Sequence, residues 1–412
     1  MPSIAPAPTP VFSTPRFKAY VNGQYVESNK ITVTQTAYSV ADTVTLDTSL
    51  WDQNIDWGAL TQKFAEKNPP QTVPFTIRVA QETQGHVVAE NQLFFGFLDD
   101  LVAIHEEDIL TFSARGILSL MADQRITARA DMNVSVDKAI AQLITKYVPG
   151  VTVKVDSHLP DGSLPPTVGK VLQADFVSTA RNMMLLEYVE ALAVYCGWKI
   201  RAQNSTVYVG AQSTNPFVFK MNWKSNAGMK CRVTHAALHA HDVKVKVISY
   251  IPKQKAKTIA NSQPSAADLA YYSLIGVTPL PSPAAKPRSS GGRRLTGSSS
   301  VGAVSVNNEE YIEHIPGLTP EQCLSIANAL RDEISAHEFV MELEWSPTGD
   351  DLTKWVQNAP NVAIVMSGLA MASMNGVYYP RKLDWTYDVG SGAYSLLATC
   401  VNHPIPVPQG NV

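Results

Sequence analysis

The side chains with most chemical potential gather in a few places. Asp99-Asp100 and Glu106-Glu107-Asp108 put five carboxylates into a ten-residue span. Two carboxylates flanking a glycosidic bond can serve as acid and nucleophile, so this cluster is the candidate for hydrolysis. Its members, however, are adjacent in sequence and fall at the ends of strand-like runs, where solvated turn charges collect. Asp350-Asp351, after Pro347-Thr348-Gly349, has the same character. His235, His239 and His241 form the histidine cluster. In an extended chain His239 and His241 share a face, but a metal would need a third or fourth ligand and a geometry that a strand does not readily provide.

The four cysteines, Cys196, Cys231, Cys323 and Cys400, are far apart and form no C-x-x-C pair. They read as reduced thiols in apolar surroundings, where a thiol is inert. No G-x-S-x-G elbow, H-E-x-x-H helix or Walker-type loop is present. Gly291-Gly292 neither follow a strand nor open a helix, so they make a poor phosphate cradle. Met183-Met184 and the run from Met366 to Met374 read as core filler. The sequence therefore assigns no catalytic, metal-binding or cofactor-binding residue, and no cofactor.

Composition narrows the classes. The chain has 412 residues, 45% of them apolar and 17% charged, with a net charge of −3. That length suggests two to four domains. A dedicated nucleic-acid binder would carry a basic balance, though a local basic patch is compatible with these numbers. The first fifteen residues lack the basic start and apolar core of a signal peptide. No run of about 18 apolar residues occurs, so no membrane span is expected.

The elements that must position these residues are mostly strands. Ile31, Val33 and Gln35 alternate with Thr32 and Thr34, and Val73, Phe75, Ile77 and Val79 alternate with their neighbours. That period of two marks half-buried strands. Asn22-Gly23 between strand-like runs predicts a hairpin turn. Gly96 inside Leu93–Leu98 predicts a bend or bulge. Ser135 caps a predicted helix with Val136, Ile140, Leu143, Ile144 and Tyr147 on one face, ended by Pro149-Gly150. A second helix is expected from Val177 to Cys196, stopped by Gly197. Trp198 to Val209 reads as a hairpin turning at Gln203-Asn204-Ser205. Val243, Val245 and Val247 alternate with Lys244, Lys246 and Ile248. Residues 282–308, rich in Gly, Ser and Pro, form an expected flexible loop that carries Lys286, Arg288, Arg293 and Arg294 and could touch a phosphate backbone or an acidic partner. Thr319, Pro320 and Gln322 begin a helix expected over 319–338. The tail from Phe339 to His403 reads as strands.

Three segments carry a resemblance. Phe17–Gly23 with Ile31–Asp42, then Leu93–Asp100 with Leu110–Leu118, then Pro360–Tyr394 with its Tyr378-Tyr379 pair, resemble in order the central hub proteins of contractile phage tail baseplates, the late control gene D group. The resemblance implies an α+β, β-rich fold: two tail-tube-like β-barrel domains with helix-containing inserts. The implied domains are a first barrel over 1–115, a mixed α/β segment over 116–228, and a second barrel region over 229–281 and 309–412. It implies a homotrimer with pseudo-sixfold symmetry and a central channel, joining the hexameric tail tube to a trimeric spike. Implied partners are the tube or tube-initiator protein, the spike, baseplate wedge proteins, and tape-measure protein or DNA in the channel. The implied location is the virion tail, assembled in the host cytoplasm. The chain ends at Val412 without spike repeats, so a separate spike chain is expected. A secretion-system spike component, a tail-associated cell-wall hydrolase and a receptor-binding β module stand as alternatives.

Overall fold

The structure is a computed structural model. It describes residues 14–51, 73–83, 86–127, 130–159, 162–171, 183–210, 216–225, 228–235, 244–251, 256–262, 310–314, 320–335, 339–359, 361–371 and 374–402. The chain forms two compact units, Met1–Val233 with Met341–Cys400, and Thr234–Val340 with Val401–Val412.

The described chain opens with β1 (Thr14–Val21), β2 (Gln24–Val26), β3 (Lys30–Thr36), β4 (Thr43–Ser49), β5 (Pro74–Thr83), β6 (His86–Ile104) and β7 (Ile109–Gly116). The period-two alternation holds. Ile31 and Val33 of β3, and Phe75, Ile77 and Val79 of β5, are buried. Asn22 and Gly23 both take positive φ, 49° and 80°, as the favoured two-residue hairpin turn requires. Gly96 lies where a side chain would collide with the Arg115 carbonyl. The register of β6 slips against β5 at Ile77/Arg78 and against β7 at Leu98/Asp100. Such bulges bend a long strand.

A mixed layer follows: α1 (Leu118–Asp123), α2 (Val136–Tyr147), β8 (Thr152–Val155), α3 (Val168–Val171), α4 (Leu185–Tyr195), β9 (Lys199–Gln203) and β10 (Thr206–Gly210). Ile140, Leu143 and Ile144 of α2 pack with Leu185, Val189 and Leu192 of α4 and with Trp198, Ile200 and Val207. β9 and β10 form an antiparallel hairpin through Asn204 and Ser205, and β8 pairs parallel with β10. The Ser39 N–H donates to the Ile200 carbonyl at 2.9 Å, which ties this layer to the β3–β4 loop.

The second helix starts later than the sequence predicts. Met184 is extended, with ψ 149°, and α4 begins at Leu185. Backbone bonding to residues 124–126 captures this stretch. The Ile126 N–H donates to the Met183 carbonyl, and the Leu185 N–H to the Gln124 carbonyl. Residues 172–182 lie outside the described residues. Gly197 ends the helix at φ 66°, as expected.

Next come β11 (Phe217–Asn222), β12 (Lys230–His235), β13 (Lys244–Ile251), β14 (Ala256–Asn261), β15 (Glu310–His314), α5 (Pro320–Ser335), β16 (Phe339–Trp345), α6 (Gly349–Asn358), β17 (Val362–Ser367), β18 (Gly376–Asp388) and β19 (Tyr394–Asn402). One sheet runs in the order β12-β16-β19-β18-β3-β4-β7-β6-β5-β1-β2, with β17 beside β18 and β11 beside β17. The β3–β18 pairing joins the two ends of the chain. The tail also holds a helix where the sequence suggests only strands. In α6, Leu352, Trp355 and Val356 are buried on one face, and Asp350 and Asp351 stand in the first turn. Acidic residues there complement the helix dipole.

In the second unit, β13 pairs antiparallel with β14 and parallel with β15, and α5 packs on β13 and β14. Val245 and Val247 are fully buried, as are Cys323 and Ala327 of α5. The described part of the expected 319–338 helix is Pro320–Ser335. The 282–308 loop and Val243 lie outside the described residues.

Candidate functional site

Of the acidic candidates only Glu106, Glu107 and Asp108 are turn charges; Asp99 and Asp100 lie inside β6, where its register slips against β7, and not at a strand end as the sequence suggests. Residues 105–108 close the β6–β7 hairpin, and Asp99, Asp100, Glu106, Glu107 and Asp108 are all exposed. Asp108 takes φ 55°, and its carboxylate accepts the Trp51 indole N–H at 3.1 Å. Arg115 donates to Asp99 at 2.7 Å and to Asp123 at 2.8 Å. Those two carboxylates raise the Arg115 pKa and hold its charge. Asp350 and Asp351 are exposed at the start of α6.

Of the histidines, His235 ends β12, while His239 and His241 lie outside the described residues. Among the described residues no group of three or more His, Cys, Asp or Glu is placed to hold a metal. All four cysteines are free thiols, with Cys196, Cys323 and Cys400 buried and Cys231 half-buried. Burial pushes the Cys196 thiol up to about 12 and raises Cys231, Cys323 and Cys400 as well. They stay protonated at neutral pH, which is the inert state. Met366 is buried in β17 and Met183 packs on the α2–α4 core.

The sequence reading passes over a groove of about 690 Å3 in the first unit. Phe217 to Met221 of β11 line one side, and Met229, Trp345 and Trp355 contribute to the rest. The rings hold one another in place. Phe219 stacks on Trp355 at 4.3 Å and 10°, Trp345 meets Trp355 edge-on at 5.0 Å, and Phe217 lies 4.9 Å from Phe219. The ionisable groups on the groove are Lys220, Asp351 and Lys354, the last two 3.9 Å apart. Among the described strands β11 pairs on one side only, with β17. The available signal was local: Phe217, Phe219 and Met221 at period two, and Leu352, Trp355 and Val356 at helical spacing.

With this geometry in hand, comparison with known proteins bears on the fold. No protein-family model matches the chain, and no curated protein does. Solved structures do. A tail protein from Neisseria meningitidis MC58 superposes with a TM-score of 0.57 at 10% identity, covering 94% of this chain and 96% of that one. The 43 kDa tail protein of prophage MuSo2 from Shewanella oneidensis gives 0.52 at 13% identity, over 94% and 96%. A chain of a Francisella PdpA–VgrG complex gives 0.52 at 12% identity, covering 97% of this chain and 59% of that one. The low identities confine the likeness to architecture, and the architecture agrees with the group that the sequence resembles: over nearly its whole length, this chain has the fold of prophage tail proteins.

Proposed function

We infer that the chain is a structural hub of a contractile phage tail baseplate. Three copies form a ring with a central channel and pseudo-sixfold symmetry, docking the tail tube on one face and a spike on the other. Each copy supplies two tube-like β-barrel domains, the first built over residues 1–115 and the second over 229–281 and 309–412, with 116–228 as the mixed segment between them. The role is mechanical and involves no catalytic step. The protein is assembled in the host cytoplasm and works in the virion tail, beside wedge proteins. The observation that carries this reading is the fold match, which spans 94% of this chain and 96% of a tail protein. Two further features support it. The sheet recruits strands from both ends of the chain, and the exposed carboxylates serve turns and an ion cluster.

Mass in solution tests it. Native mass spectrometry should give three times the 44.8 kDa chain mass, and electron microscopy should show rings, since closed symmetric assemblies have fixed copy number. A stable monomer in the presence of tube protein would sink the reading. The likeness to the Francisella chain favours one second reading, a secretion-system spike or hub component. The two separate on which tube the ring caps: phage tail tube protein should co-purify under the first reading and secretion tube protein under the second.

A further inference from the structure

The outer face of the small β8-β10-β9 sheet carries an arrangement that the hub reading does not use. Tyr208 of β10 is directly opposite Lys154 on β8 and Arg201 on β9 in the strand register. Both cations turn onto its ring, Arg201 at 4.6 Å and Lys154 at 5.4 Å from the centroid. Lys199 stands one row further along, opposite Gly210. These residues line a pocket of about 280 Å3 that is completed by Tyr38 and Asn361. Asp156 is the acid in it, placed where a side chain on Gly210 would collide with its carboxylate.

Three cations face one carboxylate, on a chain whose overall charge is −3. The sign of the charge is thus reversed locally. Crowding like charges costs energy, and the π-face of Tyr208 offsets that cost without neutralising either cation. Among the described residues neither Lys154 nor Arg201 has an ion-pair partner. A guanidinium lying on a ring keeps its N–H edge available for two-point contact with an oxyanion. A carboxylate has two oxygens to meet these donors, whereas a phosphate offers more. A cationic face of this kind is the part of a single-strand site that follows the backbone.

We propose that this face binds the phosphodiester backbone of a nucleic-acid strand through Arg201 and Lys154, with Tyr208 holding both in position. The proposal does not rest on the hub reading, because oligomer mass tests that one and strand binding tests this one.

The experiment is fluorescence anisotropy of a short labelled oligodeoxythymidylate titrated with the full-length protein at several salt concentrations. Inorganic phosphate and polyglutamate serve as competitors. Binding should weaken with salt. Lys154→Gln and Arg201→Gln should each reduce affinity at least severalfold, and each should flatten the slope of log affinity on log salt by about 0.7, the increment for one contact to a single strand. Tyr208→Phe should retain binding, and Tyr208→Ala should weaken it with circular dichroism unchanged. The proposal is overturned if the oligonucleotide does not bind, or if the Lys154 and Arg201 variants bind it like the parent. It is equally overturned if polyglutamate displaces the strand as readily as unlabelled oligonucleotide, which would make the face a site for an acidic protein. Displacement of the strand by inorganic phosphate as readily as by unlabelled oligonucleotide, at equal phosphate concentration, would reduce the face to a small-anion site and overturn it too.

Discussion

The Trp385 indole N–H donates to the side-chain carbonyl of Gln35 at 3.0 Å, across 350 residues of sequence and between two buried side chains. The Gln35 amide in turn donates to the Leu93 carbonyl at 3.0 Å. This relay links β18, β3 and β6. A buried donor left unmet costs about 1–3 kcal/mol. Gln35→Leu should therefore lower stability by about that amount, read as a shift in the urea midpoint at constant slope. Trp355 provides the contrast. Among the described residues its buried indole nitrogen has no hydrogen-bond partner, so Trp355→Phe should cost at least about 1 kcal/mol less than Trp385→Phe.

Asp42 links stability to pH. Its carboxylate accepts the Thr36 N–H at 2.8 Å, and burial outweighs that bond, raising its pKa from 3.8 to about 7. Between those values the folded chain holds a proton that the unfolded chain has released. Stability from this group is full below 3.8 and is lost as pH rises through about 7. With 1.36 kcal/mol per unit, the ceiling is on the order of 4 kcal/mol, reduced where the half-buried carboxyl meets water. Asp42→Asn keeps an acceptor for Thr36 and does not titrate. Chemical denaturation across this window should show the parent losing stability relative to the variant as pH rises; parallel curves would refute the linkage.

Gly96 should not tolerate a side chain. A Cβ there meets the Arg115 carbonyl and the Phe94 ring, and Gly96 stands opposite Gly116 on β7 and Phe75 on β5. Backbone cannot yield as the tip of a long side chain can. Gly96→Ala should cost at least about 1–3 kcal/mol, measured by thermal melting. Gly23→Ala provides the comparison, because nothing lies near its Cβ and only its φ of 80° is strained. It should cost about 1–2 kcal/mol.

Thiol reactivity should follow burial. In the native protein at neutral pH, an aromatic disulfide reagent should modify half-buried Cys231 before Cys196, Cys323 or Cys400. All four should react at once in denaturant. Rapid native labelling of Cys196, whose pKa lies near 12, would contradict its placement in the core.

The sequence by itself determined what short-range forces control. Period-two alternation in β3 and β5, the Asn22-Gly23 turn, the Gly96 irregularity, the buried face of α2 and the stop at Gly197 all follow from local sterics and from which face must leave water. The ordered resemblance led to the right fold group for a similar reason, since turns and strand faces recur in order. Only the tertiary structure decided which strands became neighbours. The pairing of β3 with β18, the Gln35–Trp385 bond and the late start of α4 at Leu185 all depend on segments far apart in sequence. The helix over Gly349–Asn358 was hidden because Pro347, Thr348 and Gly349 resemble a plain turn. The aromatic groove and the Lys154–Tyr208–Arg201 row were hidden more deeply. Each residue in them is ordinary alone: the Asn204-Ser205 turn sets Arg201 opposite Tyr208, but Lys154 joins them only through the parallel β8–β10 pairing, and Phe219 meets Trp355 from far along the chain.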